Sequence, residues 1–272
     1  MSRVRFLKRK MGSMSDLVSI IMLSHNMAQY IEESVRSILA QTYKNWELLL
    51  VDDASDDDTI ERLMALKDTL DKATAEKIQI SQTVAERGDT FNRNSALKQA
   101  SGRWIAFLDA GDTWAPEKLQ KQIAFMEEYG YAMTYTMYGV MDMKSRDRGM
   151  VIGGKAHVNH QDMLKCCWPS YLTVMYDAKQ VGLVQARCPQ HNDFALWLNV
   201  TDHHDCYLLP ENLATLRTKW GKLGRVLLTN TRKWRYDAFR IDEDLKPITA
   251  YLYTIRNGFY GMMKWFKYAH RG

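Results

Sequence analysis

The chain has 272 residues, of which 46% are hydrophobic and 25% charged, and its formal net charge is +5. This length can bury a core without disulfides, and the ordinary charge content with eight tryptophans excludes a disordered, collagen-like or coiled-coil chain. No run of about 18 apolar residues occurs, so the sequence predicts a soluble or peripheral protein rather than a membrane-spanning one.

The two ends of the chain carry its positive charge. Residues 1–10 hold five Lys and Arg and no acid, and residues 217–272 hold thirteen Lys and Arg against four Asp and Glu. The basic start lacks the long apolar segment of a secretory signal. The four cysteines lack C-x-x-C spacing, which favours reduced thiols in a cytoplasmic protein. The body is therefore acidic, and we expect body and ends to have different tasks.

Strand and helix patterns alternate over the first 130 residues. Short apolar runs predict buried strands at 17–23, 46–51, 77–81 and 104–108. Amphipathic patterns between the runs predict helices, and Pro116 stands near the start of another. Repeated β-α-β units imply an α/β fold with a mostly parallel sheet and helices on both of its faces.

Polar clusters follow three of these strands, at residues 24–26, 52–53 and 109–112. In parallel sheets, ligands bind in the crevice beyond the carboxyl ends of the strands. Single Asp or Asn residues in such loops are often turn formers, but three clusters at one edge favour a ligand site. A carboxylate-lined crevice repels a bare phosphate, so we expect a divalent cation or an arginine between them.

The motifs around these clusters form an ordered set. After the first strand come S-H-N, S-I-L-A-Q-T-Y and E-L-L-L-V-D-D-A-S-D-D-D, followed by R-N-S-A, F-L-D-A-G-D-T-W-A-P-E-K-L and N-D-F-A-L-W-L. In order and spacing, this set resembles the family 2 glycosyltransferases over about residues 17–217. The resemblance implies a GT-A fold and transfer of a sugar from a nucleotide-sugar donor.

The resemblance also implies roles for single residues. Ser24, His25 and Asn26 are similar to the loop that meets the nucleoside. Asp53 is similar to the carboxylate that reads the base, where it accepts hydrogen bonds from base N–H groups. Arg93 matches a diphosphate-facing arginine, whose fixed charge holds the leaving oxygens. The alternative for Arg93 is a surface cation at a helix start.

Residues 109–112 resemble the metal motif of the family. Asp109, which is also assigned to the nucleotide, and Asp112 would bind Mn²⁺ or Mg²⁺. Gly111 stands where the family usually has a carboxylate. Three outcomes stay open: Asp112 reaches the cation with the help of water, the cation binds weakly, or it does not bind. The other interpretation is a strand-to-helix turn with two capping aspartates.

Asp193 matches the catalytic aspartate of the family, although Asn192 replaces the acid that usually precedes it. A carboxylate at this place takes the proton of the acceptor hydroxyl while its oxygen attacks the anomeric carbon. One base without a covalent nucleophile implies single displacement with inversion. Asp193 is also suited to cap the helix that follows.

The tail at 217–272 combines its cations with many aromatic residues and contains no nucleic-acid-binding motif. This composition favours a helix lying on an anionic membrane surface. The alternative is a helical appendage packed on the catalytic domain. The predicted organisation is a basic extension (1–16), a GT-A domain (17–216) with nucleotide (17–112) and acceptor (113–216) halves, and a helical membrane-associating region (217–272).

The predicted function is an inverting hexosyltransferase that moves a sugar, with UDP expected from family habit, to a glycan or lipid-linked acceptor. Its place is cell-surface polysaccharide synthesis, as of capsule or O-antigen, on the cytoplasmic face of the plasma membrane. An alternative is a nucleotide-sugar-binding, membrane-associated partner protein whose catalysis has decayed. The sequence does not indicate an oligomeric state.

A third hypothesis comes from G-x-x-x-x-G-K at residues 149–155, which superficially fits a phosphate-binding loop. Ala156 stands where such a loop needs Ser or Thr to hold Mg²⁺. A P-loop phosphotransferase would depend on Lys155. We instead predict that residues 149–156 form a mobile loop that orders over donor or acceptor.

Overall fold

The structure is a computed structural model of the chain, and it describes residues 16–188, 193–218 and 231–271. Most of the basic extension, Asn192 and part of the tail named above lie outside the described residues. The strands are β1 (Val18–Ser24), β2 (Trp46–Asp52), β3 (Ile78–Gln82), β4 (Trp104–Phe107), β5 (Thr113–Trp114), β6 (Met133–Met141), β7 (Asp147–Ile152), β8 (His157–Val158), β9 (Met175–Asp177), β10 (Cys206–Arg217) and β11 (Ala269–Arg271).

The α-helices are α1 (Ile31–Leu39), α2 (Thr59–Asp68), α3 (Lys72–Glu76), α4 (Asp89–Gln99), α5 (Lys118–Tyr129), α6 (His160–Lys165), α7 (Ala178–Val181), α8 (Asp193–Thr201), α9 (Thr231–Asp237) and α10 (Pro247–Tyr268). A 3₁₀ turn covers Tyr171–Thr173, and a π-helical turn covers Ala238–Asp242. The helices and strands predicted within the first 130 residues are all present, with boundaries shifted by a few residues.

The strands form one mixed sheet in the order β11-β7-β6-β9-β4-β1-β2-β3, with β10 beside β6. The pairs among β4, β1, β2 and β3 are parallel, as predicted. Beyond β4 the pairs are antiparallel, except for the parallel pair of β6 and β10. The α/β class is confirmed, but the parallel part is confined to the nucleotide half. A hairpin joins β6 directly to β7, and such strands need no crossover helix.

Two apolar cores lie on the two faces of the sheet. Because side chains alternate along a strand, Ile20 and Met22 of β1 pack in one core and Ile21 packs in the other. The predicted stripe of α1, from Ile31 to Ile38, completes the first of these cores. Burial on both faces explains why this strand appears in the sequence as a continuous apolar run.

Residues 147–152 form strand β7, so the prediction of a mobile loop at 149–156 is wrong for the first half of that segment. The strand pairs antiparallel with β6 and with β11. Lys155 forms an ion pair with Asp162. The chain after Lys155 continues into β8 rather than directly into a helix, so the strand-to-helix geometry of a phosphate-binding loop is not formed and the P-loop hypothesis is wrong.

The C-terminal helices pack on the catalytic domain through their inner face. The rings of Phe194 and Phe239 have centroids 5.4 Å apart, and those of Phe239 and Tyr253 are 5.6 Å apart. Asp242 accepts a hydrogen bond from the backbone N–H of Arg187 at 3.0 Å. β11 then extends the sheet beside β7. The packed appendage expected as the alternative therefore describes the inner face of these helices.

The outer face of α10 is apolar and exposed. Ile248, Leu252, Ile255, Phe259 and Phe266 recur at three- to seven-residue spacings along one side of the helix, and each is more than half exposed. This apolar stripe lies away from the packed inner side of α10, where the buried residues are Ala250, Thr254 and Asn257. Within the ranges that the structure covers, we find no helix that is long and apolar enough to cross a membrane.

Candidate active site

The carboxyl ends of β1, β2 and β4 bring the three predicted polar clusters to one edge. Ser24 and Asp52 are register partners at the ends of β1 and β2. The N–H of Asp53 donates to the carbonyl of Ser24 at 2.8 Å, and the N–H of Ala110, after β4, donates to the carbonyl of Leu23 at 2.9 Å. These backbone bonds fix the loops that carry the predicted site residues relative to one another.

The loop after β1 is attached to the loop after β2. His25 Nδ1 lies 2.8 Å from the carbonyl oxygen of Asp53, and the N–H of Asn26 donates to Ser55 Oγ at 2.9 Å. Asn26 has a φ of 53°, in the left-handed region that Asn tolerates better than most residues. His25 and Asn26 are exposed, whereas Ser24 is buried. The loop thus presents an imidazole and an amide on a fixed backbone.

The carboxylate of Asp53 is held by the loop before α4. It accepts hydrogen bonds from the N–H groups of Arg87 and Gly88, at 2.8 and 3.0 Å, and from Thr83 Oγ1 at 3.1 Å. Partial burial disfavours its charged form, but these bonds outweigh burial and hold the pKa of Asp53 below its usual value. Asp53 is therefore an ionised, oriented acceptor at the edge predicted for base recognition.

Arg93 on α4 belongs to a second group of site residues. It is only 4% exposed, and its Nη2 donates to Asp109 Oδ2 at 3.0 Å. Its guanidinium lies 3.9 Å from the ring centroid of Tyr171. Burial disfavours the charge, but Tyr171 and nearby carboxylates that include Asp193 outweigh it and raise the pKa of Arg93. Arg93 is thus enclosed and holds Asp109, so the alternative interpretation of a surface cation is wrong, and its contact with the diphosphate stays a prediction.

Asp193 is the first residue of α8, where a negative charge is favourable to the helix dipole. Its Oδ1 accepts a hydrogen bond from the N–H of Phe194 at 2.8 Å. The negative charge of Asp193 contributes to the raised pKa values of both Arg93 and Tyr171. The predicted base therefore lies in the same cluster as Asp109. Its bond to the N–H of the next residue is not the bond to a second- or third-position N–H that a helix cap makes, so the capping role stays a prediction.

Asp109 and Asp112 differ in their surroundings. Burial and the charge of Asp89 raise the pKa of Asp109 despite the neighbouring Arg93, while 37% of its side chain remains exposed. Burial raises the pKa of Asp112 to about 8, although the backbone N–H of Arg217 donates to its Oδ1 at 2.8 Å and opposes this rise. The two carboxyl groups are therefore not equivalent ligands.

Gly111, between these aspartates, is required by the backbone. Its φ of 107° lies in a region that residues with side chains rarely adopt. Space is not the reason, since a Cβ would meet only Met27 Sδ, at 3.8 Å. A residue with a side-chain carboxylate at this position would therefore be strained in the turn that this chain adopts.

A cleft of about 520 Å³ opens beside Gly111, and Asn26 and Tyr30 contribute to its walls. Arg217 Nε donates to the carbonyl of Gly111 at 2.7 Å, and its Nη2 donates to Glu33 Oε2 at 2.5 Å. The guanidinium also lies 4.4 Å from the ring centroid of Tyr30. Arg217, predicted from the sequence to be a cation of the tail, is instead the last residue of β10 and a part of this cleft.

The fit of the site to a cation depends on few ligands. In the described part of the chain, no group of three or more His, Cys, Asp and Glu side chains is placed to hold a metal ion. The Asp109 carboxylate accepts a hydrogen bond from Arg93. Asp112 Oδ1 accepts one from the N–H of Arg217, so Oδ2 is the Asp112 oxygen that could bind a cation. Mg²⁺ and Mn²⁺ often bind only one or two carboxylates together with waters and substrate phosphates. The residues fit a cation whose coordination is completed in that way.

Comparison with known proteins identifies the family. The sequence model described as Glycosyl transferase family 2 matches residues 19–172. The chain belongs to this family. It is 35% identical over 191 residues to TuaG of Bacillus subtilis (strain 168), a glycosyltransferase assigned to teichuronic acid biosynthesis, covering 70% of this chain and 74% of that one. It is also 35% identical over 184 residues to an Escherichia coli family relative, UDP-Glc:alpha-D-GlcNAc-diphosphoundecaprenol beta-1,3-glucosyltransferase WfgD, covering 68% and 69%.

Solved structures share the fold of this family 2 glycosyltransferase. S. aureus TarS 1-349 in complex with UDP-GlcNAc aligns with a TM-score of 0.65 at 18% identity, over 92% of this chain and 74% of that one. The mannosyltransferase PcManGT from Pyrobaculum calidifontis, in complex with GDP-Man and Mn²⁺, aligns with a TM-score of 0.56 at 16% identity, over 93% and 74%. These matches confirm the predicted GT-A fold.

Three residues of the family 2 site were not predicted from the sequence. Glu33 and Arg217 meet only because the end of β10 lies beside the start of α1, a contact across most of the chain. The signal for Arg217 was present, since it is the last residue of the stretch that the family resemblance covers. Tyr171 lies in a 3₁₀ turn outside every motif, so no local pattern marks it as the partner of Arg93.

Proposed function

We propose that this protein is an inverting glycosyltransferase that moves a sugar from a UDP-sugar to a glycan or lipid-linked acceptor in cell-surface polysaccharide synthesis. The observation that carries the proposal is the cluster of Arg93, Asp109, Tyr171 and Asp193 at the carboxyl edge of a family 2 fold. The UDP-GlcNAc bound by TarS and the UDP-Glc in the name of WfgD support UDP as the nucleotide.

Asp193 acts as the general base in this proposal. The acceptor hydroxyl oxygen forms a bond to the anomeric carbon, and the bond from that carbon to the phosphate oxygen breaks. The nucleoside diphosphate leaves with the electron pair, and the hydroxyl proton passes to the Asp193 carboxylate. A single displacement from the face opposite the diphosphate inverts the anomeric centre, so an α-linked donor gives a β-linked product.

The donor end of the crevice has two parts. Ser24, His25, Asn26 and Asp53 line the nucleoside side, where the oriented Asp53 carboxylate selects base N–H donors. The diphosphate lies toward residues 109–112. A Mg²⁺ or Mn²⁺ ion held by Asp109 and Asp112 would neutralise charge on the leaving diphosphate. The Arg93 guanidinium keeps Asp109 in place and adds a buried positive charge behind it.

The acceptor side favours a lipid-linked substrate. WfgD is named for transfer to a sugar on diphosphoundecaprenol. The exposed apolar stripe of α10 would rest in the interface of an anionic membrane, on the cytoplasmic face of the plasma membrane where nucleotide-sugars are present. Lys and Arg near the surface of such a membrane each contribute about 1 kcal/mol of attraction. This arrangement gives the C-terminal helices α9 and α10 a membrane-associating role.

The Asp193→Asn variant tests the proposal. Purified full-length protein is given a panel of nucleotide-sugars with lipid-linked acceptors, with and without Mn²⁺, and product is measured by mass spectrometry. Loss of a general base lowers the transfer rate by about 10²–10⁴-fold, and UDP binding is expected to remain. Asp202→Asn, an exposed residue just after α8, is the matched control and should keep the full rate. Equal rates for the Asp193→Asn variant and the wild type would contradict the assignment.

A second candidate is a binding protein whose catalysis has decayed. Gly111 in place of a carboxylate and the engagement of Asp109 with Arg93 favour this alternative. It predicts that UDP binds with the same affinity with and without Mn²⁺, and that no donor is hydrolysed or transferred. Product formation from any nucleotide-sugar would exclude it.

A further inference from the structure

A groove of about 670 Å³ lies between α9 and α10. One wall is basic and carries Arg232, Lys233 and Arg235 of α9. The other wall is apolar and belongs to α10, where Ile255 and Phe259 are both exposed. The groove therefore presents cations and hydrocarbon side by side, and neither the nucleotide nor the sugar of the proposed reaction needs this combination.

In the part of the chain that the structure describes, the cations of the basic wall are not paired with a carboxylate, although α9 itself ends in Asp237. The whole of α10, residues 247–268, contains no Asp or Glu. A Cβ at Gly258 would lie 3.6 Å from Arg235 Nη1, so that guanidinium lies along the helix rather than out in solvent. The groove is therefore suited to an anion.

The apolar wall of the groove continues onto the outer surface of α10. Ile255 and Phe259 line the groove and also belong to the exposed stripe that runs from Ile248 to Phe266. A hydrocarbon chain that starts in the groove can therefore follow the stripe without crossing polar surface. Burying apolar surface in this way favours binding.

The groove is close to the proposed base. Phe194, next to Asp193, contacts Phe239, and Phe239 contacts Tyr253 of α10. Burial raises the pKa of the Cys167 thiol, the charge of Asp193 raises it further, and the charge of Arg235 lowers it. The ring contacts of Phe194, Phe239 and Tyr253 connect the helix that carries the proposed base to α10.

We propose that the groove between α9 and α10 binds the diphosphate and the first hydrocarbon units of the lipid that carries the acceptor sugar. The diphosphate lies on Arg232, Lys233 and Arg235, and the chain lies on Ile255 and Phe259. This inference rests on the proposed function, because it assigns the lipid part of the same acceptor. It predicts selectivity for a diphosphate joined to a hydrocarbon over either part alone.

Farnesyl diphosphate, a water-soluble prenyl diphosphate, is the probe. Its binding to the full chain is measured by calorimetry in saturating UDP, which blocks the donor site. We expect the Arg232→Gln, Lys233→Gln double variant to weaken binding by at least about tenfold, the loss typical of one charge-assisted contact. Ile255→Ser should weaken binding of farnesyl diphosphate but not of inorganic diphosphate. All three positions are exposed, so the variants should keep the fold.

Arg62→Gln with Lys98→Gln is the matched control, since both side chains are exposed on the catalytic domain. Unchanged affinity in the groove variants, or equal loss in the control, would overturn the proposal. Loss of binding only to phosphatidylglycerol vesicles, with farnesyl diphosphate unaffected, would also overturn it and identify bulk lipid as the ligand. Failure of the wild type to transfer any sugar would remove the proposed function, but it would leave this binding measurement intact.

Discussion

The edge of the sheet that carries Asp53, Asp109 and Asp112, here called the donor edge, differs from the C-terminal helices in how its charged groups are paired. At the donor edge, Asp53 is bonded to the loop before α4, Asp109 to Arg93 and Asp112 to the amide of Arg217. On the outer side of α9 and α10, cations stand beside exposed apolar side chains, without carboxylate partners in the described ranges. The first region is preorganised for a small polar ligand. The second region has the composition of a protein surface that binds a large amphipathic surface such as a membrane.

Because the donor edge is preorganised, we expect it to tolerate few substitutions without loss of activity. Dipoles and charges that are fixed before the substrate arrives need no reorganisation during the reaction. An amphipathic surface works differently, because its contribution is spread over several side chains and grows with the apolar area removed from water. Substitutions in the two regions should therefore separate chemistry from membrane attachment.

The largest effect is expected from charges placed on the apolar stripe. Ile255→Asp with Phe266→Asp removes two exposed apolar side chains, each worth about 1.5–3 kcal/mol when buried. Binding to anionic vesicles, measured by sedimentation, should fall by about 100-fold or more. Hydrolysis of the donor without an acceptor should remain, because neither residue approaches the donor edge.

The control places the same charges elsewhere. Met64→Asp with Tyr129→Asp also replaces two exposed apolar residues, which are 45% and 55% exposed on the catalytic domain. This variant should bind vesicles nearly as well as the wild type. Equal losses in the two variants would show that net charge, and not the stripe, decides attachment.

A smaller effect is expected from Asp109→Asn, which removes the carboxylate beside buried Arg93. Breaking a fully buried pair costs about 3–5 kcal/mol, and we expect about 2 kcal/mol in urea unfolding because the Asp109 side chain is 37% exposed. Donor hydrolysis should be lost as well, while vesicle binding stays. Asp56→Asn, exposed on the same edge, should change neither quantity. Unaltered stability of the Asp109→Asn variant would show that Arg93 does not depend on this carboxylate.

The strands of the donor edge and the polar residues after them could be predicted because each is marked by a short local pattern in the sequence. Continuous apolar runs gave β1, β2 and β4, and the polar residues directly after them had to meet at one edge of a parallel sheet. The pairing of Glu33 with Arg217 was not predictable, since no periodicity relates residues at opposite ends of a domain. Enclosure of Arg93 was missed for a similar reason, because Tyr171 comes from an irregular turn.

The C-terminal region was predicted only in part. The alternation of cations and aromatics indicated a surface helix, and α10 has the exposed apolar stripe that this requires. Composition could not show which side of the helix packs on the domain. That side is set by small or polar residues such as Ala250, Thr254 and Asn257, which are buried although only the first is apolar. The mixed sheet was also missed, because β6 and β7 form a hairpin beyond the β-α-β pattern.

The smallest change in stability is expected at a contact between the catalytic domain and the C-terminal region. His160 Nε2 of α6 lies 3.3 Å from Glu243 Oε2, just after the π-helical turn, and Thr201 Oγ1 lies 3.4 Å from His160 Nδ1. Burial disfavours the imidazolium, but Glu243 and the charge of Asp202 outweigh it and raise the pKa of His160. A raised pKa means that the stabilisation is fully present below the unfolded pKa and is lost as pH rises through the folded value.

The free energy of unfolding of the wild type minus that of His160→Gln should therefore be larger at about pH 5.5 than at about pH 8.5, by about 1 kcal/mol or less. Glu243→Gln should reduce this pH dependence while keeping the imidazole, and adding His160→Gln to it should change the stability less than His160→Gln does alone. A pH-independent difference would mean that His160 packs as a neutral ring. The attachment of α10 to the catalytic domain would then depend on the ring packing of Phe239 and the hydrogen bonding of Asp242, with no charge contribution from His160.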